Sequence, residues 1–348
     1  MHHPRWKLLT SVLISLVILV LAYVNRAKIA EALGLLREAR PLWLVAGFVV
    51  ICLGYLISSQ VFNVVLRSLG YRMSVLRLWA TALVAIMISQ SVPAGAVGSY
   101  AFLMTNFTRR GVSPGESALL ASLETLSYAA AMLLVFSFSL VFLAASGLKA
   151  AGASMLAAVV AIAVIGGACF VLTRSEATLK RWVGGAQLTV GRMLRRRWTG
   201  EWADKIVADL ARGRALLASR RRDVVLLVLI QLTAMSAHSL ALLLVLKGFG
   251  VDTSFEVVLA AFGIALITST FNVLPGGGGT VEAALLTVLS QFGAGLAAVP
   301  AAIIFRLFNF WLLAPVAAAC YHWLMHEPVT KMVSRHDQRG EVLPQADV

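Results

Sequence analysis

Apolar residues fall in long blocks along this chain, and most charges are confined to the gaps between them. A first block runs from Leu8 to Val24, and others cover residues 42–66, 117–144, 153–172, 224–246 and 298–323. An apolar helix of about 20 residues crosses the roughly 30 Å hydrocarbon layer of a bilayer, so the pattern predicts an all-α polytopic integral membrane protein. Two further apolar stretches are interrupted. Residues 75–92 and 97–107 flank Pro93-Ala94-Gly95, and residues 256–293 contain Pro275 followed by four glycines and Thr280-Val281-Glu282. Proline and consecutive glycines do not hold helix. Non-helical backbone at membrane depth is tolerated only where protein buries it or water reaches it, so each break is read as lining a cavity.

The two breaks share a register. Moving back 182 residues carries Pro275 to Pro93, Gly277 to Gly95, Gly293 to Gly111 and Arg306 to Glu124. An offset of 180 pairs Lys247 with Arg67, Gly250 with Gly70 and Ser254 with Ser74. We read a diverged duplication of about residues 42–145 and 222–325.

Charge then sets the expected topology. Residues 174–222 hold thirteen Lys and Arg against four Asp and Glu, with arginine triplets at 195–197 and 220–222. The positive-inside rule places this loop in the cytoplasm. That holds when residues 75–110 form a re-entrant hairpin, and it makes the hairpin at 256–293 enter from the opposite face. The expected organisation is an N-terminal helix and amphipathic outer segment (1–41), a first repeat half (42–173), the basic amphipathic loop (174–222), a second half (223–326) and a tail (327–348). Both termini are expected in the cytoplasm of a bacterium whose inner membrane holds the chain. The basic loop either attracts anionic lipid or only fixes topology.

Composition agrees with a membrane protein, at 59% hydrophobic and 13% charged residues. The net charge of +14 is therefore about membrane orientation, and no nucleic-acid partner is expected. Cys52, Cys169 and Cys320 lack paired spacing and are expected to pack. No phosphate-loop Lys-Ser/Thr succeeds the glycines, no catalytic triad or paired carboxylates are present, and no cofactor or metal is expected. His322 and His326 are four apart beside Glu327, a metal-compatible spacing, but interfacial anchoring is the simpler reading at the end of a span. His238, with Gln231 and Ser236, reads as hydrogen-bonding glue between helices.

The Pro-Ala-Gly break at 93–95 with Arg110-Gly111 and Glu124 after it, then Pro275-Gly276-Gly277, Glu282, Gly293 and Arg306, is similar to the transmembrane region shared by lysylphosphatidylglycerol synthases and stand-alone flippase-like membrane proteins. The resemblance covers roughly residues 42–325. It implies movement of a modified phospholipid or another lipid between leaflets, with the cargo unspecified. Thr125 departs from the arginine common after Glu124, and the chain is expected to lack the soluble aminoacyl-transferase domain, so synthase activity is not expected.

The charges within spans and the backbone at the breaks supply the candidate substrate-binding residues. Glu124 and Arg306 are ionisable groups inside spans; the duplication puts them at corresponding positions, where a pseudo-twofold axis would bring them together as a headgroup site or as a permanent brace. Glu282 is expected at the third position of a helix that Gly279 caps, suited to the dipole. Gly276, Gly277, Gly278, Gly95 and Gly98 would present backbone N–H groups to a lipid phosphate, and the family motif adds Arg110. Membrane lipids with anionic or zwitterionic headgroups are the expected partners, with a lipid-modifying enzyme or a second copy of the chain as protein partners. The alternative function is a membrane glycosyltransferase or a non-catalytic subunit of a lipid-modification pathway.

Overall fold

The computed structural model describes residues 37, 39–91, 95–147, 178, 181, 221–270, 280–295 and 298–327. The first apolar block, the span at 153–172, nearly all of the basic loop, Pro93, Pro275 to Gly279 and the tail beyond Glu327 lie outside these residues. Among the described residues every regular element is helical: α1 (Pro41–Ser68), α2 (Val75–Ser91), α3 (Gly95–Arg109), α4 (Pro114–Ala145), α5 (Arg221–Gly248), α6 (Phe255–Thr270), α7 (Thr280–Gln291), α8 (Ala298–Arg306), a π-helical turn (Leu307–Trp311) and α9 (Leu313–His326).

Four helical stretches among the described residues are long and apolar enough to cross a membrane: α1, α4, α5 and the α8 to α9 run. Their exposed residues include Leu42, Val45, Val49, Val141 and Val225, which is the arrangement expected when lipid covers the outside. By contrast α2, α3, α6 and α7 are short. At about 1.5 Å per residue the 12 residues of α7 cover little more than half of the hydrocarbon layer.

Local sequence explains the boundaries. Ser113 caps α4, its hydroxyl accepting from the Glu116 N–H while the Glu116 side chain accepts from the Ser113 N–H; Pro114 stands in the first turn, where its missing donor is harmless. At the other end of α1, Gly70 takes a positive φ of 85° and Tyr71 N–H donates to the Leu66 carbonyl at 2.9 Å, the Schellman closure that glycine permits. The same closure recurs at Gly250, with φ 75° and Val251 N–H donating to Leu246 O at 3.0 Å. A second matched set closes α3 at Gly111 (Val112 to Phe107) and α7 at Gly293 (Ala294 to Leu289). These are the glycine pairs of the sequence register, each in the same backbone state.

The core is built on α1 and α5, which pack along their length in antiparallel sense. Gly47 lies against Ala241 and Val245, Gly54 against His238, and Ser58 donates to Gln231 Oε1. Glycines on α1 let the two backbones approach, the usual device where no water drives helices together. At one end of the pair the Arg40 N–H donates to the Gly248 carbonyl and the Lys247 ammonium lies 5.6 Å from the Trp43 ring centroid. At the other end, Tyr71 donates to Glu116 at the start of α4.

Helices α2 and α3 pack together, α2 also against α1 and α9, and α3 against α4. Both outer ends of this pair reach one residue: Arg77, early in α2, and Arg110, just after α3, lie 2.7 and 3.8 Å from Glu327 at the end of α9. Helices α6 and α7 likewise pack on each other, with α6 against α4 and α7 against α8. Phe292, just past α7, packs at a tilt on Phe142 near the far end of α4, opposite the end that carries Glu116. The α2–α3 pair thus opens toward the Glu116 end of α4 and the α6–α7 pair toward the other.

Candidate functional site

Arg306 ends α8 and is 7% exposed. Its Nε donates to Glu282 Oε1 at 3.0 Å, and its guanidinium lies 5.5 Å from the Phe310 ring centroid, within cation–π range. Glu282 is the third residue of α7, the helical position read from sequence, where the free N–H groups of the first turn favour a carboxylate. Its Oε2 is buried and has no hydrogen-bond partner among the described residues. The pair therefore joins the start of α7 to the last span, and leaves one carboxylate oxygen without a hydrogen bond among the described residues.

This corrects the expected partnership. Arg306 meets Glu282, and no ion pair joins it to Glu124. The Glu124 carboxylate instead lies 3.3 Å from the hydroxyl of the next residue, Thr125, which is itself 2.9 Å from the Ala121 carbonyl. The physical reason lies in the helix ends. The register relates Arg306 to Glu124 by position within each half, but α8 ends at Arg306 in contact with α7, and the acid it pairs with is the one on that neighbouring half-length helix.

Beyond Arg306 the chain departs from the regular span that the apolar pattern predicts. The Leu312 N–H donates to the Leu307 carbonyl at 2.9 Å, a bond one residue longer than the α-helical one. Pro315 provides the cause: it has no N–H to offer the Trp311 carbonyl, and its ring would collide with that carbonyl in a regular helix. The π turn absorbs the conflict, as such turns do inside longer helices. It exposes Asn309 to α1, where the Tyr55 hydroxyl lies 3.0 Å from the Asn309 carbonyl and 2.9 Å from its Oδ1, all buried. His238 meets the Tyr55 ring edge-on with centroids 5.0 Å apart. Its Nδ1 is 2.7 Å from the Ala234 carbonyl, which fixes Nδ1 as the donor because a carbonyl only accepts. Ser58 and Gln231 supply the glue between helices expected of this region, while the polar bond of His238 stays within its own helix.

Tyr55→Phe removes a hydroxyl and leaves two buried acceptors on Asn309. The expected cost is about 1–3 kcal/mol, read as a lower unfolding midpoint of the purified protein, whereas loss of a surface hydroxyl would leave it unchanged.

Of the glycines, Gly95 and Gly98 stand in the first turn of α3, which begins two residues earlier than the apolar pattern suggested. Gly95 is buried against the Ile88 and Ser89 backbone of α2, and Gly98 faces the Ile88 side chain. Close approach of two helices is what Gly95 provides here. Gly276, Gly277 and Gly278 fall outside the described residues. Arg110 is brought to the end of α9, its Nη2 donating to the Leu324 carbonyl at 3.3 Å and its Nε to Asn106 at 3.4 Å, away from the Arg306 pair. His322 and His326 stack with centroids 4.0 Å apart, and His326 Nδ1 lies 2.9 Å from the His322 carbonyl.

The model of the lysylphosphatidylglycerol synthase TM region matches residues 8–317. The chain belongs to that family. As a member of the lysylphosphatidylglycerol synthase TM-region family, it carries both Pro-Gly breaks and the Arg306–Glu282 pair inside the matched span. A UPF0104 membrane protein of Methanothermobacter thermautotrophicus is 35% identical over 86 residues. The aligned stretch makes up 24% of this chain and 26% of that relative's own length.

Proposed function

We propose that this chain is a flippase-like carrier that moves a lipid with an anionic or zwitterionic headgroup between membrane leaflets, without catalysing its modification. The observation that carries this reading is the Arg306–Glu282 pair. It is a buried cation held by an under-satisfied carboxylate at the start of a half-length helix. An ionisable group within a span faces a partner or a wet cavity and marks a candidate substrate path. A phosphate or carboxylate headgroup takes the place of Glu282 on the guanidinium, and the N–H groups at the start of α7 add to its hold. The first turn of α3 offers the same backbone groups in the other half.

The matched glycine closures and the opposite openings of the two hairpins support a pair of inverted repeats, the architecture of carriers that expose a midplane site to each side in turn. The basic end, with Arg67, Arg72, Arg77, Arg109 and Arg110, is the cytoplasmic one on this reading, and the membrane is the cytoplasmic membrane. In a variant with alanine in place of Cys52, Cys169 and Cys320, a cysteine at Arg72 is expected to react only with reagent on the cytoplasmic side and one at Asp252 only from outside. Reaction of both from one side would remove the inverted arrangement.

Function itself is read in proteoliposomes holding fluorescent lipids, by the fraction of label that a membrane-impermeant reductant reaches. The purified chain is expected to bring inner-leaflet label to the reductant faster than protein-free vesicles do. Rates equal to those of protein-free vesicles, across phospholipid and glycolipid probes, would contradict the proposal.

A further inference from the structure

A second charged cluster lies at the basic end, apart from the Arg306 pair. Arg77 comes from the first turn of α2, Arg109 and Arg110 from the end of α3, and all three converge on the last turn of α9. Arg109 donates to the Met325 carbonyl at 2.6 Å. Arg110, 5% exposed, donates to the Leu324 carbonyl. These bonds cap the carbonyls that a helix end leaves unsatisfied and place cations where the helix dipole is negative. Capping accounts for part of the cluster only, since each guanidinium has more N–H donors than these bonds use.

The acid in the cluster is poorly matched to the arginines. Among the described residues, the Arg77 and Arg110 guanidinium groups share one carboxylate, Glu327, with Arg109 on the same helix end, so cations outnumber acids here. Arg77 Nη2 holds Glu327 Oε1 at 2.7 Å, but Oε2 is buried, has no hydrogen bond among the described residues, and stands 3.8 Å from Arg110 Nη1. Glu327 also forms the edge of an open groove of about 600 Å³, lined further by Ala318, Ala319, His322, Trp323 and His326. A ligand in that groove reaches the arginines by displacing a carboxylate that is only half bonded.

We propose that Arg77, Arg109 and Arg110 form a receptor for a phosphate group entering from this groove, with Glu327 as the built-in carboxylate that the phosphate displaces. A phosphate carries more acceptor oxygens than a carboxylate and suits guanidinium groups arriving from two helices. The groove's alanine and tryptophan wall accommodates the apolar part of a lipid, so a phospholipid headgroup and a soluble phosphate are the two sources of the same chemistry. Binding at this cluster is independent of whether the chain moves lipid.

The test uses the full chain in a neutral detergent, with dioleoyl phosphatidate, dioleoylglycerol and inorganic phosphate as separate probes, and bound probe counted by native mass spectrometry or equilibrium dialysis. Phosphatidate is expected to bind and dioleoylglycerol not to. R77Q, whose side chain is 31% exposed and so is tolerated by the fold, is expected to weaken binding about tenfold, the worth of one charge-assisted hydrogen bond. E327Q is expected to tighten it about tenfold by removing the competing charge. Tightening with phosphatidate alone assigns the site to a lipid headgroup, and equal tightening with inorganic phosphate assigns it to the soluble ion; both support the receptor. If Glu327 serves only as a helix-end brace, E327Q weakens binding or leaves it unchanged, and that result overturns the proposal, as does equal binding of dioleoylglycerol. R306Q is expected to leave the part of the binding that R77Q weakens and E327Q tightens unchanged, even where it removes a probe held at the Arg306 pair, so loss of transport and loss of this site are separable.

Discussion

Glu282→Gln and Arg306→Gln are each expected to lower the unfolding midpoint of the purified protein sharply, and the double substitution to recover most of the loss. Breaking a buried ion pair by removing one partner costs about 3–5 kcal/mol, because the remaining charge stays in a medium that solvates it poorly, whereas removing both is often near neutral. The lower part of that range applies, since the Glu282 side chain keeps 25% of its surface exposed against 9% for Arg306. Arg306→Gln should cost the protein its cation–π contact with Phe310 as well. Glu124→Gln provides the contrast. Its carboxylate lies 3.3 Å from the Thr125 hydroxyl, which is closer to the Ala121 carbonyl at 2.9 Å, so a glutamine there breaks no ion pair among the described residues and a shift of about 1 kcal/mol or less is expected. A large loss in Glu124→Gln that Arg306→Gln fails to deepen would restore the pairing that the sequence register suggested.

Gly95→Ala is expected to be the most damaging single-methyl change in the first half. A Cβ at that position falls on the Ser89 carbonyl and comes within 2.7 Å of the Ile88 carbonyl oxygen. Main-chain atoms of a helix cannot swing aside as a side chain does, so α3 has to move relative to α2. Overpacking of a fixed contact costs about 1–3 kcal/mol and sometimes more; the upper end is expected here, with reduced yield of folded protein. Two other glycines calibrate the effect. Gly98→Ala meets only the Ile88 Cγ2 methyl, at 3.0 Å, which a rotamer change relieves, and Gly115→Ala meets nothing within 4 Å. In a helix the latter should be neutral or stabilising by up to about 1 kcal/mol. Equal behaviour of the three variants would show that the α2–α3 contact is not tight.

The difference between what sequence shows and what it hides is clear at these residues. Span positions were legible because they depend on local physics, the uncharged length of α1, α4 and α5; Gly70, Gly111, Gly250 and Gly293 stood out only as register pairs, and the turns they close came from the structure. The helical position of Glu282 was legible for the same reason, since a break fixes where the next helix starts. Its partner was not. Whether Arg306 meets Glu124 or Glu282 depends on how α7 and α8 dock, a relation among elements that the repeat register does not encode. The π turn lay between these cases. Pro315, inside a span, was a visible signal, but the compensating bond from Leu312 to Leu307 and the exposure of Asn309 to Tyr55 depend on packing. Glu327 shows the same limit from the other side: sequence set it beside two histidines, while the fold carried arginines from residues 77, 109 and 110 to it.

The headgroup role proposed for Arg306 and Glu282 goes beyond joining α8 to α7. It is tested most directly by the Glu282→Gln, Arg306→Gln double variant in proteoliposomes, provided its unfolding midpoint is close to that of the unsubstituted protein. A folded double variant that moves labelled lipid no faster than protein-free vesicles, where the unsubstituted chain moves it readily, is the expected result. A folded double variant that moves lipid at the unsubstituted rate would contradict the claim and leave the pair as a brace.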